Sequence, residues 1–323
     1  MDFLSYHFPV SGVDTNILLP PLVALVISFF TSMGGVSGAF LLLPFQMSVL
    51  NYTTPSVSGT NFVYNIVAIP SGVYRYIKEG RMAWPLTLIV IAGTLPGVFI
   101  GYFVRVRFLP DPRTFKLFVG CVLLYLGGRM LYELTGRAAR GKEKTQALEQ
   151  KFRLRSQELR GKNKSRLAAG LPPEAVVKTV SLSFTNVRFE FWGETYTFST
   201  PGMFILALIV GVIGGTYGIG GGAIIAPFCI AVFRLPVYAV AGAALMGTFI
   251  TSLAGVAFYS LIPSGSGVTT SPDWLLGFLF GIGGFTGMYL GARFQKHVPQ
   301  KALKVVIGLV IVFLAVTYIV QFF

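Results

Sequence analysis

The sequence is short of charge. Only 12% of its 323 residues are Asp, Glu, Lys or Arg, about half the share of an ordinary soluble domain. From Ile17 to Tyr74 there is no charged residue, from Leu86 to Val104 there is none, and between Glu194 and Asp273 there is only Arg234. Such runs reach or exceed the roughly 20 apolar residues that cross a bilayer, so the composition excludes a water-soluble globule. Histidine and cysteine are equally scarce, at two each. With His7 and His297 alone, neither in a predicted span, no HExxH metal helix and no Ser-His-Asp set can be assembled within the membrane, so neither an enzyme nor a metal or cofactor site is expected. Cys121 and Cys229 lie in apolar segments, where a small buried thiol is the expected state and a disulfide is not. A basic leader is also missing. Only Asp2 and Asp14 carry charge ahead of the first apolar run, which therefore reads as a retained span and not a cleaved signal.

Hydrophobic residues make up 54% of the chain. Apolar segments run over Ile17–Met33, Ala39–Leu50, Val57–Tyr76, Trp84–Val104, Phe115–Leu134, Pro201–Tyr217, Ala223–Phe233, Val237–Ile262, Trp274–Phe294 and Leu303–Phe322. Two of these, after Gly34-Gly35 and after Gly218 to Gly222, are too short to cross alone. They are predicted to be broken or re-entrant, which a bilayer permits only where the freed backbone faces protein or a cavity.

The chain repeats itself. An ungapped offset pairs Gly35 with Gly218, Gly38 with Gly221, Pro44 with Pro227, Phe45 with Phe228, Gly59 with Gly242, Gly72 with Gly255 and Tyr76 with Tyr259. Further on, Gly97 and Gly101 match Gly287 and Gly291, and Gly120 matches Gly308. Glycine and proline fix backbone geometry and helix approach, so the matches preserve architecture and not apolarity alone. The fold expected is an all-α polytopic membrane protein: two homologous repeats of four to five transmembrane segments, residues 1–134 and 200–323, joined by a basic cytoplasmic loop, 135–199. Five crossings per half make the repeats inverted, the arrangement expected, and an even number would make them parallel.

Thirteen Lys or Arg between Glu133 and Phe198 place that loop in the cytoplasm. Both termini then fall outside. Arg105, Arg107, Arg113 and Lys116 fall outside as well, against the rule. Within the loop, Arg137 to Lys164 reads as a solvated basic stretch whose spacing puts Leu148 and Phe152 on one helical face. It suits anionic lipid, and no nucleic-acid partner is expected. Val177 to Phe198 alternates in short runs and reads as a small β-hairpin.

Function turns on the two glycine clusters, SMGGVSGAFLLLPF at Ser32–Phe45 and YGIGGGAIIAPF at Tyr217–Phe228. Glycine lets the chain leave a helix, and a helix starting just after it directs its positive end at whatever lies in front, a combination that favours an anion. A dinucleotide fingerprint is rejected, because no acidic residue follows GIGGG at the necessary spacing. The competing explanation for these glycines is close helix packing. The third segment of each half adds polar groups: Ser58, Thr60, Asn61, Tyr64 and Asn65 in the first, Thr248, Thr251 and Ser252 in the second. Asn61 and Asn65 share a helix face, and two amides in an apolar span need partners, from a polar cavity or from neighbouring helices. The candidate substrate-binding residues are Gly34, Gly35, Ser37, Gly38, Asn61, Tyr64, Asn65, Tyr217, Gly218, Gly220, Gly221, Gly222 and Thr248.

GGVSGAFLLLPF, YGIGGGAIIAPF, the duplicated halves and the hairpin ending WGETYTFSTP resemble the sulfite exporter TauE/SafE family, also described as toluene-sulfonate uptake permeases. The first cluster differs from the glycine-rich pattern in having Ser37 and Ala39 opposite Gly220 and Gly222. The resemblance implies a multi-span permease of the cell membrane, in bacteria the inner membrane. Its cargo would be sulfite, an organosulfonate or a related sulfur anion, moved by export in several members and open to proton coupling. No Asp, Glu, Lys or Arg lies near the middle of any predicted span, so amides, hydroxyls and helix ends must do the binding. A passive anion channel would share the same glycines, repeats and polar lining and is the alternative. A membrane assembly protein comes third.

Overall fold

A computed structural model describes residues 4–34, 37–78, 80, 82–135, 177–191, 193–264, 267–294 and 300–323. The first half carries a hairpin of β1 (Ser5–Phe8) and β2 (Val13–Asn16). It continues through helices α1 (Leu19–Gly34), α2 (Ala39–Ser48), α3 (Ser56–Ala68), α4 (Pro70–Lys78), α5 (Trp84–Phe103) and α6 (Pro112–Tyr132). Strands β3 (Lys178–Leu182), β4 (Asn186–Phe191) and β5 (Glu194–Ser199) follow, then α7 (Thr200–Tyr217), α8 (Gly221–Ala231), α9 (Val237–Leu261), α10 (Trp274–Phe294) and α11 (Gln300–Val320). Among the described residues, six helices are long and apolar enough to cross a membrane: Trp84–Phe108, Pro112–Tyr132, Thr200–Tyr217, Ala239–Leu261, Trp274–Gly291 and Lys301–Val320. Large apolar side chains stand exposed on their outer faces, among them Leu88, Ile205, Tyr289 and Phe313, the arrangement a lipid solvent requires.

Several expectations are corrected. The segment Val57–Tyr76 is two helices and not one, because Pro70 has no N–H with which to continue the ladder; Ile69, between them, keeps helical angles. The hairpin expected over Val177 to Phe198 is present but gains a strand, as a three-stranded antiparallel sheet, β3-β4-β5, with Val187, Phe189, Phe191 and Phe198 buried. Residues 5–16 form a hairpin that the sequence reading did not assign, with Phe8 opposite Val13 and Gly12 at positive φ in the turn. Cys229 is buried as expected, but Cys121 is exposed, on a face of α6 turned away from the core. The helix considered between Arg137 and Lys164 lies outside the described residues.

Helix pairing is set by glycine ridges. α5 packs along α7 and α10 along α1. A Cβ placed at Gly97 would sit 2.7 Å from the Cα of Gly211, and one at Gly287 would sit 3.0 Å from the Cα of Leu25, so these helices touch backbone to backbone. Without a hydrophobic force between helices in lipid, close contact of this kind is what holds them. α3 packs on α10, α9 on α5, and α6 on α11.

Hydrogen bonds gather the loops into two groups. Ser11 Oγ donates to Asp273 Oδ2 at 2.8 Å, Tyr102 Oη to the Ile262 carbonyl at 2.6 Å, Arg105 Nη2 to the Thr53 carbonyl at 3.2 Å and Lys116 Nζ to Gln321 Oε1 at 3.4 Å. These collect the N-terminal hairpin, the α2–α3, α5–α6 and α9–α10 loops and the C-terminus at one end of the bundle. At the other, the Val177 amide donates to the Gly80 carbonyl at 3.1 Å, and Lys304 Nζ meets Glu133 Oε2 at 3.5 Å. Arg105 is not a free loop charge. It is fully buried, its second Nη donates to the Leu109 carbonyl, and its guanidinium lies 3.7 Å from the centre of the Phe115 ring. One of the four cations that broke the orientation rule is therefore part of the packed interior.

Candidate functional site

Both broken helices end at glycine and restart at glycine, and the two breaks meet on α3. α7 stops at Gly218, whose φ of 88° is left-handed, and α8 restarts after Gly220, at φ 76°. L side chains avoid that region, so this double reversal of the chain requires glycine. In the first half α1 ends at Gly34 and α2 begins after Gly38. Gly35 lies outside the described residues.

The side chains of α3 hold both breaks. Asn61 Nδ2 donates to the Ala39 carbonyl at 3.2 Å, and Asn65 Nδ2, one turn on, donates to the Ile219 carbonyl at 3.2 Å. A third link crosses directly: Tyr217 Oη donates to the Phe40 carbonyl at 2.8 Å. That carbonyl is the one Pro44 releases, since a proline at i+4 has no N–H to return. The tyrosine thus replaces a bond that the chain's own proline deletes. Tyr64 Oη and Ser28 Oγ, 2.8 Å apart, close over Gly38, where a Cβ would strike both. The Ala39 amide donates to Ser37 Oγ at 3.3 Å, so Ser37 supports the start of its own half-helix.

Charge at the second break is unbalanced. Around the end of α7 four carbonyls are taken by donors: Gly214 by the amides of Gly218 and Ile219, Gly215 by Tyr259 Oη at 3.2 Å, Thr216 by Ser58 Oγ at 3.0 Å, and Ile219 by Asn65. α8, in contrast, starts at Gly220 with no side-chain cap, and α2 starts at Gly38 likewise. The negative end of α7 is largely neutralised while the start of α8 has no side-chain cap, a combination that favours an anion there; at α2 the Ala39 amide is already taken by Ser37 Oγ.

The remaining glycines are also packing contacts. A Cβ at Gly218 would overlap the Ser58 carbonyl, one at Gly222 the Ala244 carbonyl, and one at Gly221 the Thr94 side chain. At Gly220 the nearest atoms are Thr248 Cγ2 at 2.9 Å and Thr251 Oγ1 at 3.1 Å. Thr248 donates its hydroxyl to the Ala244 carbonyl of its own helix at 2.8 Å, so it enters the site as a surface and not as a donor. The breaks are closed in this conformation.

The sequence reading missed three groups. Ser28 and Thr94 sit in apolar helices and reach the site only through tertiary packing. Gln46 is fully buried on α2, and neither amide atom has a partner. Its signal was available, as a lone amide inside the apolar run of α2. Asn61 Oδ1, Asn65 Oδ1 and Ser252 Oγ are likewise buried without a partner. At the outer end of α3, Tyr52 Oη lies 2.8 Å from Thr60 Oγ1 and beside Ser56, and burial pushes its phenol up, keeping it protonated.

Comparison with known proteins agrees with this architecture. The chain is 21% identical over 300 residues, 90% of its length and 93% of the relative's, to "Probable membrane transporter protein YunE" of Bacillus subtilis (strain 168). No solved structure matches. The family model described as Sulfite exporter TauE/SafE matches residues 21–318, from the second residue after the start of α1 to the last turn of α11 and across both breaks. This multi-pass membrane protein, with its two glycine-broken helices joined through α3, belongs to the sulfite exporter TauE/SafE family.

Proposed function

We propose that the chain is a secondary carrier of the cell membrane that moves a small sulfur-containing oxyanion, sulfite or an organosulfonate, outward through a site between the two glycine breaks. The observation that carries this reading is the uncapped start of α8 beside the end of α7, where four carbonyls already have donors, one of them from Asn65 of α3. The family supplies the substrate class, and the name of the Bacillus subtilis relative supports transport. The closed packing at Gly218, Gly221 and Gly222 favours a carrier over a standing pore, because an ion passes only if helices separate.

We read residues 1–134 and 200–323 as inverted repeats. Matching elements make matching contacts: α1 on α10 answers α7 on α5, and α3 on α10 answers α9 on α5. The first half begins at the end of the bundle that holds Asp273 and Gln321, and the second begins at the end that holds Gly80 and Glu133. Alternating access would rock one repeat against the other around the breaks.

Purified protein in proteoliposomes tests the proposal with labelled sulfite, thiosulfate, sulfoacetate, taurine and sulfate. Saturable uptake of a sulfur anion, accelerated by unlabelled substrate on the opposite side, is the expected result. Ohmic single-channel currents without counterflow would replace the carrier with a channel.

A further inference from the structure

We infer that the site takes its cargo in a form that brings its own hydrogen-bond donor: a protonated oxyanion such as hydrogen sulfite, or a sulfonate bearing a hydroxyl, and not a bare dianion. This rests on the transport reading above and narrows its substrate class.

The orientation of both site amides is fixed by what their nitrogens touch. Asn61 Nδ2 faces the Ala39 carbonyl and Asn65 Nδ2 faces the Ile219 carbonyl. A carbonyl can only accept, so turning either amide over would set oxygen against oxygen. The two Oδ1 atoms are therefore committed as acceptors. Both residues are fully buried, and neither oxygen has a partner among the described residues. They stand one turn apart on the face of α3 that holds the two breaks. Buried acceptors left in this state select a ligand that donates, and they repel the lone pairs of one that cannot.

Charge points the same way. The titratable groups that reach this part of α3 are the phenols of Tyr52, Tyr64, Tyr217 and Tyr259, each hydrogen-bonded to a neutral partner. Arg105 and Asp273 lie toward the outer end of the helix, committed to Thr53 and Leu109 and to Ser11 and Leu276. Among the described residues no ammonium or guanidinium is hydrogen-bonded at the breaks to balance a second negative charge. Because the cost of desolvating an ion grows with the square of its charge, a dianion is penalised about fourfold more than a monoanion here. The uncapped start of α8 supplies partial positive charge suited to one unit and not two.

Sulfite is suited to the test because its second ionisation falls near neutrality. With wild-type protein in proteoliposomes, the pH on both sides is stepped across that ionisation while initial sulfite flux is measured. The half-saturation concentration of total sulfite should rise about tenfold per pH unit above it, following the protonated fraction. A second arm compares isethionate with ethanesulfonate as competitors, equal in charge and chain length and differing by one hydroxyl. Isethionate should compete about tenfold better or more, and Asn61→Leu with Asn65→Leu should bring that ratio close to one. A half-saturation independent of pH, or falling as pH rises, overturns the inference while leaving sulfite transport standing. So does equal competition by the two sulfonates. If size excludes both sulfonates, the pH arm decides alone. If no sulfur anion moves at any pH, the transport reading falls and takes the inference with it.

Discussion

Replacing Tyr217 by phenylalanine removes one oxygen from the centre of the protein, and the cost can be worked out from the bond it makes. The ring would keep its edge-on contact with Phe40, at 6.1 Å between centroids, so packing is preserved. What is lost is the donor to the Phe40 carbonyl, which Pro44 has deprived of its helical partner. A buried carbonyl left unpaired costs about 1 to 3 kcal/mol. The same reasoning predicts that the cost depends on residue 44. In a Pro44→Ala background the new backbone N–H can bond to the Phe40 carbonyl, and Tyr217→Phe should then cost about 0.5 kcal/mol or less. The coupling is thus about 0.5 to 2.5 kcal/mol, within the range of contacting residues. Unfolding of the purified protein in a mixed-detergent titration, across all four members of the cycle, measures it. Equal cost of Tyr217→Phe with proline or alanine at 44 would refute the claim that this tyrosine substitutes for a deleted helix bond.

Three other outcomes follow from the packing. Gly97→Leu should lower the melting temperature and disrupt the α5–α7 pair, since Gly211 leaves no room, whereas Gly128→Ala, with open space around it, should leave melting unchanged in the same scan. Arg105→Leu strands the Thr53 and Leu109 carbonyls and should destabilise by about 1 to 3 kcal/mol, with Arg105→Lys milder, as read in the detergent titration. Single cysteines at Asp14 and Phe323, in a background lacking Cys121 and Cys229, should be labelled from the external side, and one at Arg188 from the cytoplasmic side. Cytoplasmic labelling of either terminus would break the inverted arrangement.

Much of this architecture is legible in the sequence because lipid imposes simple demands on composition. Long uncharged runs mark the spans within a few residues, and Gly218 to Gly222 marks a break because only glycine accepts those backbone angles. The meeting of both breaks with Asn61 and Asn65 was also foreseeable, since two amides on one apolar face demand partners. Which partners was not. The carbonyls of Ala39 and Ile219 lie 22 and 154 residues away in sequence from the amides they hold, and nothing local encodes either contact. Arg105 misled for the same reason. In sequence it belongs to a basic loop, but the π-helical turn Val104–Phe108 carries it inward onto Phe115. Thr248 shows the local bond that a sequence does allow to be anticipated, its hydroxyl donating to the Ala244 carbonyl of its own helix.

The central claim, that the anion binds where the breaks meet α3, is tested most directly by the concentration dependence of sulfite flux in two variants whose expression and melting are verified. Asn65→Leu removes one hydrogen-bonding side chain from a site with several. It should raise the half-saturation concentration about 5- to 150-fold, the equivalent of about 1 to 3 kcal/mol. Gly220→Val forces a β-branched residue into a left-handed position against Thr248 and Thr251 and should abolish flux in protein that still inserts. Normal half-saturation in Asn65→Leu together with normal flux in Gly220→Val would place the site elsewhere and leave these residues as packing alone.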